Sequence, residues 1–275
     1  MTVTVEPFAQ TRTTSAHRLT FLRALRSEWI KLASLRSTWW SIAVTAFITI
    51  GAALLGAFMF TAQPMDGVGF EPIQAVVSPV QFTMLLAGIL GVIAITGEYS
   101  TGMIRSTLTA APVRGMVLAA KAMVVAVFLL ITSLAIFSAA AVVVTPIFAA
   151  AETPFPWDRP ADSLLPILAA AVSMAVVALI GLSFGFVLRA AAGALSATVG
   201  LLFVLPIVMS LFATTDPAWQ WITEVSSRLP MTAAQSAILP QNDWGLDAGG
   251  AYLTLAAWVA AGMASAWAVL RTRDA

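Results

Sequence analysis

VLAAKAMVVAVFLLITSLAIFSAAAVVVTPIFA, residues 117–149, carries a single charge, Lys121, near its start. A helix needs about 20 mostly apolar residues to cross a bilayer. This run is longer than one crossing requires, so its first residues lie in the interface or the helix tilts. Lys121 is close enough to that end for its stem to snorkel outward. Five more runs have the same character: 39–61, 78–97, 164–188, 194–213 and 250–270. None contains an Asp or Glu. Across the 275 residues, 60% are hydrophobic and only 10% charged, with a mean hydropathy of +0.92. A soluble domain carries about 25% charged residues, so this chain cannot cover a water-soluble globule. The expected fold is all-α and polytopic, with six transmembrane helices. Cysteine is absent, which excludes disulfides and thiolate metal sites.

The loops orient the spans. Of the 14 Lys and Arg residues, 12 fall on one side: the N-terminal segment, the loop from Glu98 to Lys121, the turn at Arg189, and the C-terminus. The other side has only Arg159 and Arg228, beside Asp66, Glu71, Glu152, Asp158, Asp162, Asp216, Glu224, Asp243 and Asp247. Basic residues in short loops mark the cytoplasmic face, so both termini are expected there. An even number of spans requires the same side for both.

Residues 1–38 are too basic for a secretory signal, with Arg12, Arg18, Arg23, Arg26, Lys31 and Arg36 and no unbroken apolar core. Residues 1–17 are expected to form a disordered cytoplasmic tail, and 18–275 a single transmembrane domain. RLTFLRALRSEWIKLASLRS, residues 18–37, has a different period. On a helical wheel Phe21, Leu22, Leu25, Trp29 and Leu32 share one face, while Arg23, Ser27, Lys31 and Ser34 lie opposite. That pattern predicts an interfacial helix lying flat on the membrane.

ITGEYSTGMIRSTL, residues 95–108, sits where the second span ends. Tyr99 to Ala110 suits one short helix, stopped by Ala111-Pro112. Glu98, at the C-terminus of a helix, is disfavoured by the macrodipole by a few tenths to about 1 kcal/mol. A compensating cation is expected, with Arg105 and Lys121 as candidates. On the opposite side, residues 214–249 form a long loop. Asp216-Pro217 and Leu229-Pro230 look like two helix starts. Two short amphipathic helices returning into the outer interface are expected, with Trp219 and Trp221 in its aromatic belt. Gly181 and Gly185 in the fourth span have the spacing that lets helices approach closely.

Several chemistries are excluded. The single histidine, His17, lies in the polar tail, so no intramembrane Ser-His or His-metal site is available. No G-x-x-x-x-G-K-[ST] phosphate loop occurs. Without ionisable groups near the midplane, ion coupling has no obvious basis. The chain is therefore expected not to be an enzyme and to hold no cofactor, catalytic residue or metal. Work must come from elsewhere.

GEYSTGMIRSTLTAAPVRGMVLAAK, residues 97–121, resembles the loop after the second span in permease subunits of the type-2, exporter class of ABC transporters. The matching positions are Gly97-Glu98, Ser100-Thr101-Gly102, Arg105, Pro112, Arg114 and Lys121. LPMTAAQSAI, residues 229–238, resembles that family's outer re-entrant segment, with Leu229 and Pro230 at its start. The resemblance implies a bacterial plasma-membrane permease working as a dimer, with an identical or homologous second permease subunit. Two copies of a separate ABC ATPase would bind ATP and Mg. Membrane lipid is the other partner implied, and nucleic acid is not one. It also implies a coupling helix between spans 2 and 3, for which Glu98, Tyr99, Gly102, Met103, Ile104, Arg105, Leu108 and Arg114 are the candidates. Met103, Ile104 and Leu108 would offer apolar contact, and Arg105 and Arg114 charge. Phe21, Leu25, Trp29, Arg23 and Lys31 mark the interfacial helix. The alternative is a non-transporting membrane partner of such an ATPase, serving signalling or lipid extraction. The charge-free spans suit apolar or cationic amphipathic cargo.

Overall fold

In the computed structural model, residues 20–62, 71–110, 113–212, 219–239 and 245–272 are described. Among them the chain is helical throughout, with six helices long and apolar enough to cross a membrane. The protein is an all-α polytopic membrane protein.

A lead helix, α1 (Phe21–Ser34), is followed after Leu35 by the first span, α2 (Arg36–Ala62). The second span has two parts, α3 (Pro72–Val77) and α4 (Val80–Ser100). Pro72 opens α3 at a position where its missing N–H costs nothing, and Pro79 precedes α4. A short helix, α5 (Met103–Ala110), leads to the third span, α6 (Arg114–Ala150). The fourth span is α7 (Pro160–Leu188). The fifth consists of α8 (Ala191–Val199), a π-helical segment (Gly200–Val204) and α9 (Leu205–Leu211). Then come α10 (Gln220–Ser227), α11 (Pro230–Ile238) and the last span, α12 (Ala248–Thr272).

The third span is one helix of 37 residues with Pro146 inside it. At 1.5 Å per residue it is about 55 Å long, well beyond the roughly 30 Å hydrocarbon core. A helix of that length must tilt or extend beyond the hydrocarbon.

α7 is central, packing on α4, α6 and α12. Its seam with α4 is built from glycine. A Cβ on Gly91 would overlap the carbonyl of Ala178, and one on Gly181 the carbonyl of Gly88. The backbones touch directly, and in lipid such van der Waals packing is a principal attraction between helices. The Gly181 and Gly185 spacing thus marks a true contact: Gly185 faces Ile95.

Arg189 ends α7 in the left-handed region, at φ 57°. The hairpin from α7 to α8 turns on Arg189 and Ala190 alone. α11 returns into the bundle, with Leu229 and Pro230 buried and the Trp258 indole donating to the Arg228 carbonyl at 2.8 Å. Trp219 and Trp221 stay exposed beside it. The predicted helix start at Asp216-Pro217, and the stop at Ala111-Pro112, lie outside the described residues.

Candidate functional site: a four-charge cluster under a helical hairpin

The chemistry of this chain is concentrated at its basic end, where α1, α4, α5 and α6 meet. α4 runs through Glu98 and Tyr99 to Ser100. This corrects two expectations. The second span includes a carboxylate, and Tyr99 belongs to the span, not to the short helix. The turn between α4 and α5 is Thr101-Gly102, with Gly102 at φ +71°, a conformation open to glycine at little cost.

Glu98 is 4% exposed and Lys121 3%. Lys121 donates to Glu98 Oε1 at 2.8 Å and to the Ala94 carbonyl at 3.3 Å. It also donates to Glu28 Oε2 at 2.5 Å. Lys31 closes the ring from the rim, 2.8 Å from Glu28 Oε1 and 3.0 Å from Glu98 Oε1. Two carboxylates and two ammoniums thus form one electroneutral cluster linking α1, α4 and α6. Charges taken out of water need this kind of mutual pairing.

Of the two cations expected beside Glu98, Lys121 occupies the place. Arg105 is exposed on α5 and has no ion pair among the described residues. Lys121 does not snorkel, because two carboxylates hold its ammonium inside. Lys31 also departs from its expected position on the headgroup face. The wheel placed it by charge, but its amine turns inward to the two acids. The face of α1 against the bundle contains Glu28 and Leu32, both buried, with Leu25 half-buried. Phe21, Leu22, Trp29 and Ile30 are the exposed apolar side chains of α1, and Arg23 is exposed as well. The Trp29 ring also meets Phe128 of α6 edge-on at 5.8 Å.

Glu28 is a member that the sequence reading missed. It is the one acidic residue in the lead helix. It lies three residues after Leu25 and four before Leu32, on the stripe that proves to be buried. An acid on a buried stripe was the available signal.

Burial alone would raise the Glu28 carboxyl, but the charge and hydrogen bond of Lys121, then those of Lys31, hold it below its ordinary value of 4.5. For Lys31, burial pulls downward and is overcome by hydrogen bonds and charge from Glu28 and Glu98, leaving it above its ordinary 10.5. Glu28 therefore contributes stability that is complete above its ordinary value and lost as pH falls through the lower folded one. Lys31 contributes stability that is complete below its ordinary value and lost as pH rises through the higher folded one. Thermal unfolding against pH is expected to show a plateau between roughly pH 5 and 10 with shoulders at both ends. Glu28→Gln should flatten the acid shoulder. An unchanged acid limb would show that Glu28 does not carry it.

The cluster reaches the short helix. Lys31 Nζ lies 3.4 Å from Thr107 Oγ1, and Ile104 of α5 is 2% exposed. Ile104 packs in an apolar group with Ile95, Leu118 and Phe186, and Leu108 rests against the same group. Ile104 and Leu108 therefore face the bundle. Arg105 and Thr109 face outward, and Met103 and Ser106 are exposed as well, at the rim of the cavities beside α1. Arg114 is not part of that outer face: its guanidinium donates to the Leu270 carbonyl at 2.5 Å, closing the end of α12. A cation at a helix C-terminus is favourable there. Tyr99 is half-buried, with the Arg189 guanidinium 5.5 Å from its ring centre.

Beside the cluster lies a cavity of about 390 Å³, bounded by Glu28, Lys31, Leu32, Glu98, Lys121 and Val124 among others. A second, of about 290 Å³, lies between α1, α5 and α6. Among the described residues no group of three or more His, Cys, Asp or Glu side chains is placed to hold a metal. Compared with protein-family models and with curated proteins, the chain gives no match to either.

Proposed function

We propose that this chain is the permease subunit of an ATP-driven ABC exporter, located in a bacterial plasma membrane with both termini in the cytoplasm. It forms a translocation path as a dimer and is driven by a separate ATPase. One observation carries this reading. The helix between the second and third spans is fixed on its inner side and free on its outer side. Ile104 and Leu108 seat it in the bundle, and Lys31 ties it to the charge cluster. Met103, Arg105, Ser106 and Thr109 remain exposed. An element that receives a push must be anchored behind and open in front. The position of 12 of the 14 Lys and Arg residues on this side supports a cytoplasmic partner. The lack of a phosphate loop in the chain calls for that partner to supply the ATP site.

The test is purification with an ATPase encoded beside the gene. Arg105→Glu and Met103→Glu are each expected to cut the partner's affinity about tenfold or more, the loss produced by removing one interface hot spot. Unfolding temperature should not change, because both side chains are exposed. Co-purification that survives both substitutions would remove this role from α5.

A further inference from the structure

We propose that the cavity between α1, α4 and α6 binds an amphiphile with a primary ammonium head, which donates to Glu98 Oε2 while its tail follows the seam between α2 and α4. The site stands on the fold alone and goes beyond the exporter reading, since it needs no ATPase.

The first observation is the division of labour on Glu98. Both lysines approach Oε1, at 2.8 and 3.0 Å. Oε2 is buried and has no hydrogen-bond partner among the described residues. A buried carboxylate oxygen without a donor forfeits the hydrogen bonds that water would give it, and Glu98 borders the 390 Å³ cavity. That volume falls in the range of small-molecule sites. An ionised carboxylate only accepts, so the ligand must bring a donor. Anionic heads meet an oxygen they cannot bond. A primary amine supplies the missing N–H; the two lysines already balance both acids, so the bond to Oε2, and not net charge, would select the head.

The second observation is the apolar continuation. Leu32, Val124 and Val125 wall the cavity, and Leu35, Ile93 and Met103 stand exposed around it. A narrow crevice continues past Leu35 and Ile93 to Thr38 and Leu90. Leu90 also borders a third gap, beside Ile42 and Leu86. These spaces mark one line along α2 and α4, from the charge cluster toward the membrane interior. α2 is among the least buried spans, so this seam can widen for a chain without disturbing the glycine contact of α4 with α7.

The experiment uses the full chain in phosphatidylcholine nanodiscs and a dodecylamine bearing a photoreactive group near its tail. Saturable labelling is expected on α2 and α4 along the seam. Unlabelled dodecylammonium should compete about tenfold better than dodecyltrimethylammonium, which has no N–H, one such bond being worth about that factor. Dodecyl sulfate should compete no better than the quaternary amine. Ile93→Trp, which narrows the seam and leaves all four charges in place, should reduce labelling about tenfold. Glu98→Gln should abolish the preference for the primary amine. Replacing half of the lipid by phosphatidylethanolamine separates two sources of the same head: weaker amine labelling identifies the bilayer lipid as occupant, and unchanged labelling a free amine. Equal competition by the quaternary amine would overturn the proposal. So would labelling that is unsaturable, spread over all lipid-facing helices, or indifferent to Ile93→Trp.

Discussion

Lys121→Met is expected to lower the apparent unfolding temperature of the solubilised protein by about 6–20 °C. The substitution keeps an apolar stem of similar length and removes only the ammonium. Glu98 and Glu28 then lose their most buried partner. Breaking a buried ion pair from one side costs roughly 3–5 kcal/mol, since the remaining charge is uncompensated. In a chain of this size each kcal/mol moves the midpoint by about 2–4 °C. Lys31 remains in contact with both acids, but one ammonium cannot balance two carboxylates. The double variant Lys121→Met with Glu98→Gln should recover much of the loss, because Glu28 and Lys31 then form a neutral pair. Circular dichroism melts of the two variants decide the point. A double variant as unstable as the single one would show that lost packing, and not orphaned charge, causes the fall.

The other large effect is steric. Gly91→Leu is expected to prevent accumulation of folded protein, and Gly181→Ala to cost about 1–3 kcal/mol or more, the usual range for overpacking. Neither helix can yield by moving a side chain, because the atoms in the way are the backbone carbonyls of Ala178 and Gly88. α4 and α7 would have to separate, and α4 carries Glu98. Gly51→Ala is the control: nothing lies within 4 Å of the added methyl, so stability should stay level or rise slightly. Thermal melts of Gly181→Ala and Gly51→Ala provide the comparison. Equal stability would mean that the α4–α7 contact is looser than the glycines require.

The six spans were legible because their signal is length. A long run without Asp or Glu has few fates other than a lipid-facing or buried helix. Boundaries were less so. Glu98 reads in sequence as the end of a span, since a lone carboxylate in hydrocarbon is too costly to sustain. In the folded chain α4 runs two residues further, to Ser100, because Lys121 and Lys31 remove that cost from positions 23 and 67 residues away. The same distance hid Glu28. Locally it reads as the partner of Lys31 three residues on, which is an ordinary solvated pair on a helix. A helical wheel ranks faces by polarity, so it turned Lys31 toward headgroups, and only the position of Glu28 between Leu25 and Leu32 pointed an acid inward. The GLSFG spacing identified close approach but not the partner helix. That partner, with Gly88 and Gly91 on its face, becomes evident only when the two helices cross.

The order of synthesis gives the charge cluster a further meaning. Glu28, Lys31, Glu98 and Lys121 all precede α7 in the chain. A ribosome delivers the lead helix first, then one carboxylate at the end of the second span, then the ammonium that answers it at the start of the third. Charge neutrality at the basic end is therefore available before the central helix has been made. α7, which packs on both α4 and α6, therefore has no part in neutralising the charged end and contributes to the bundle through its glycine face.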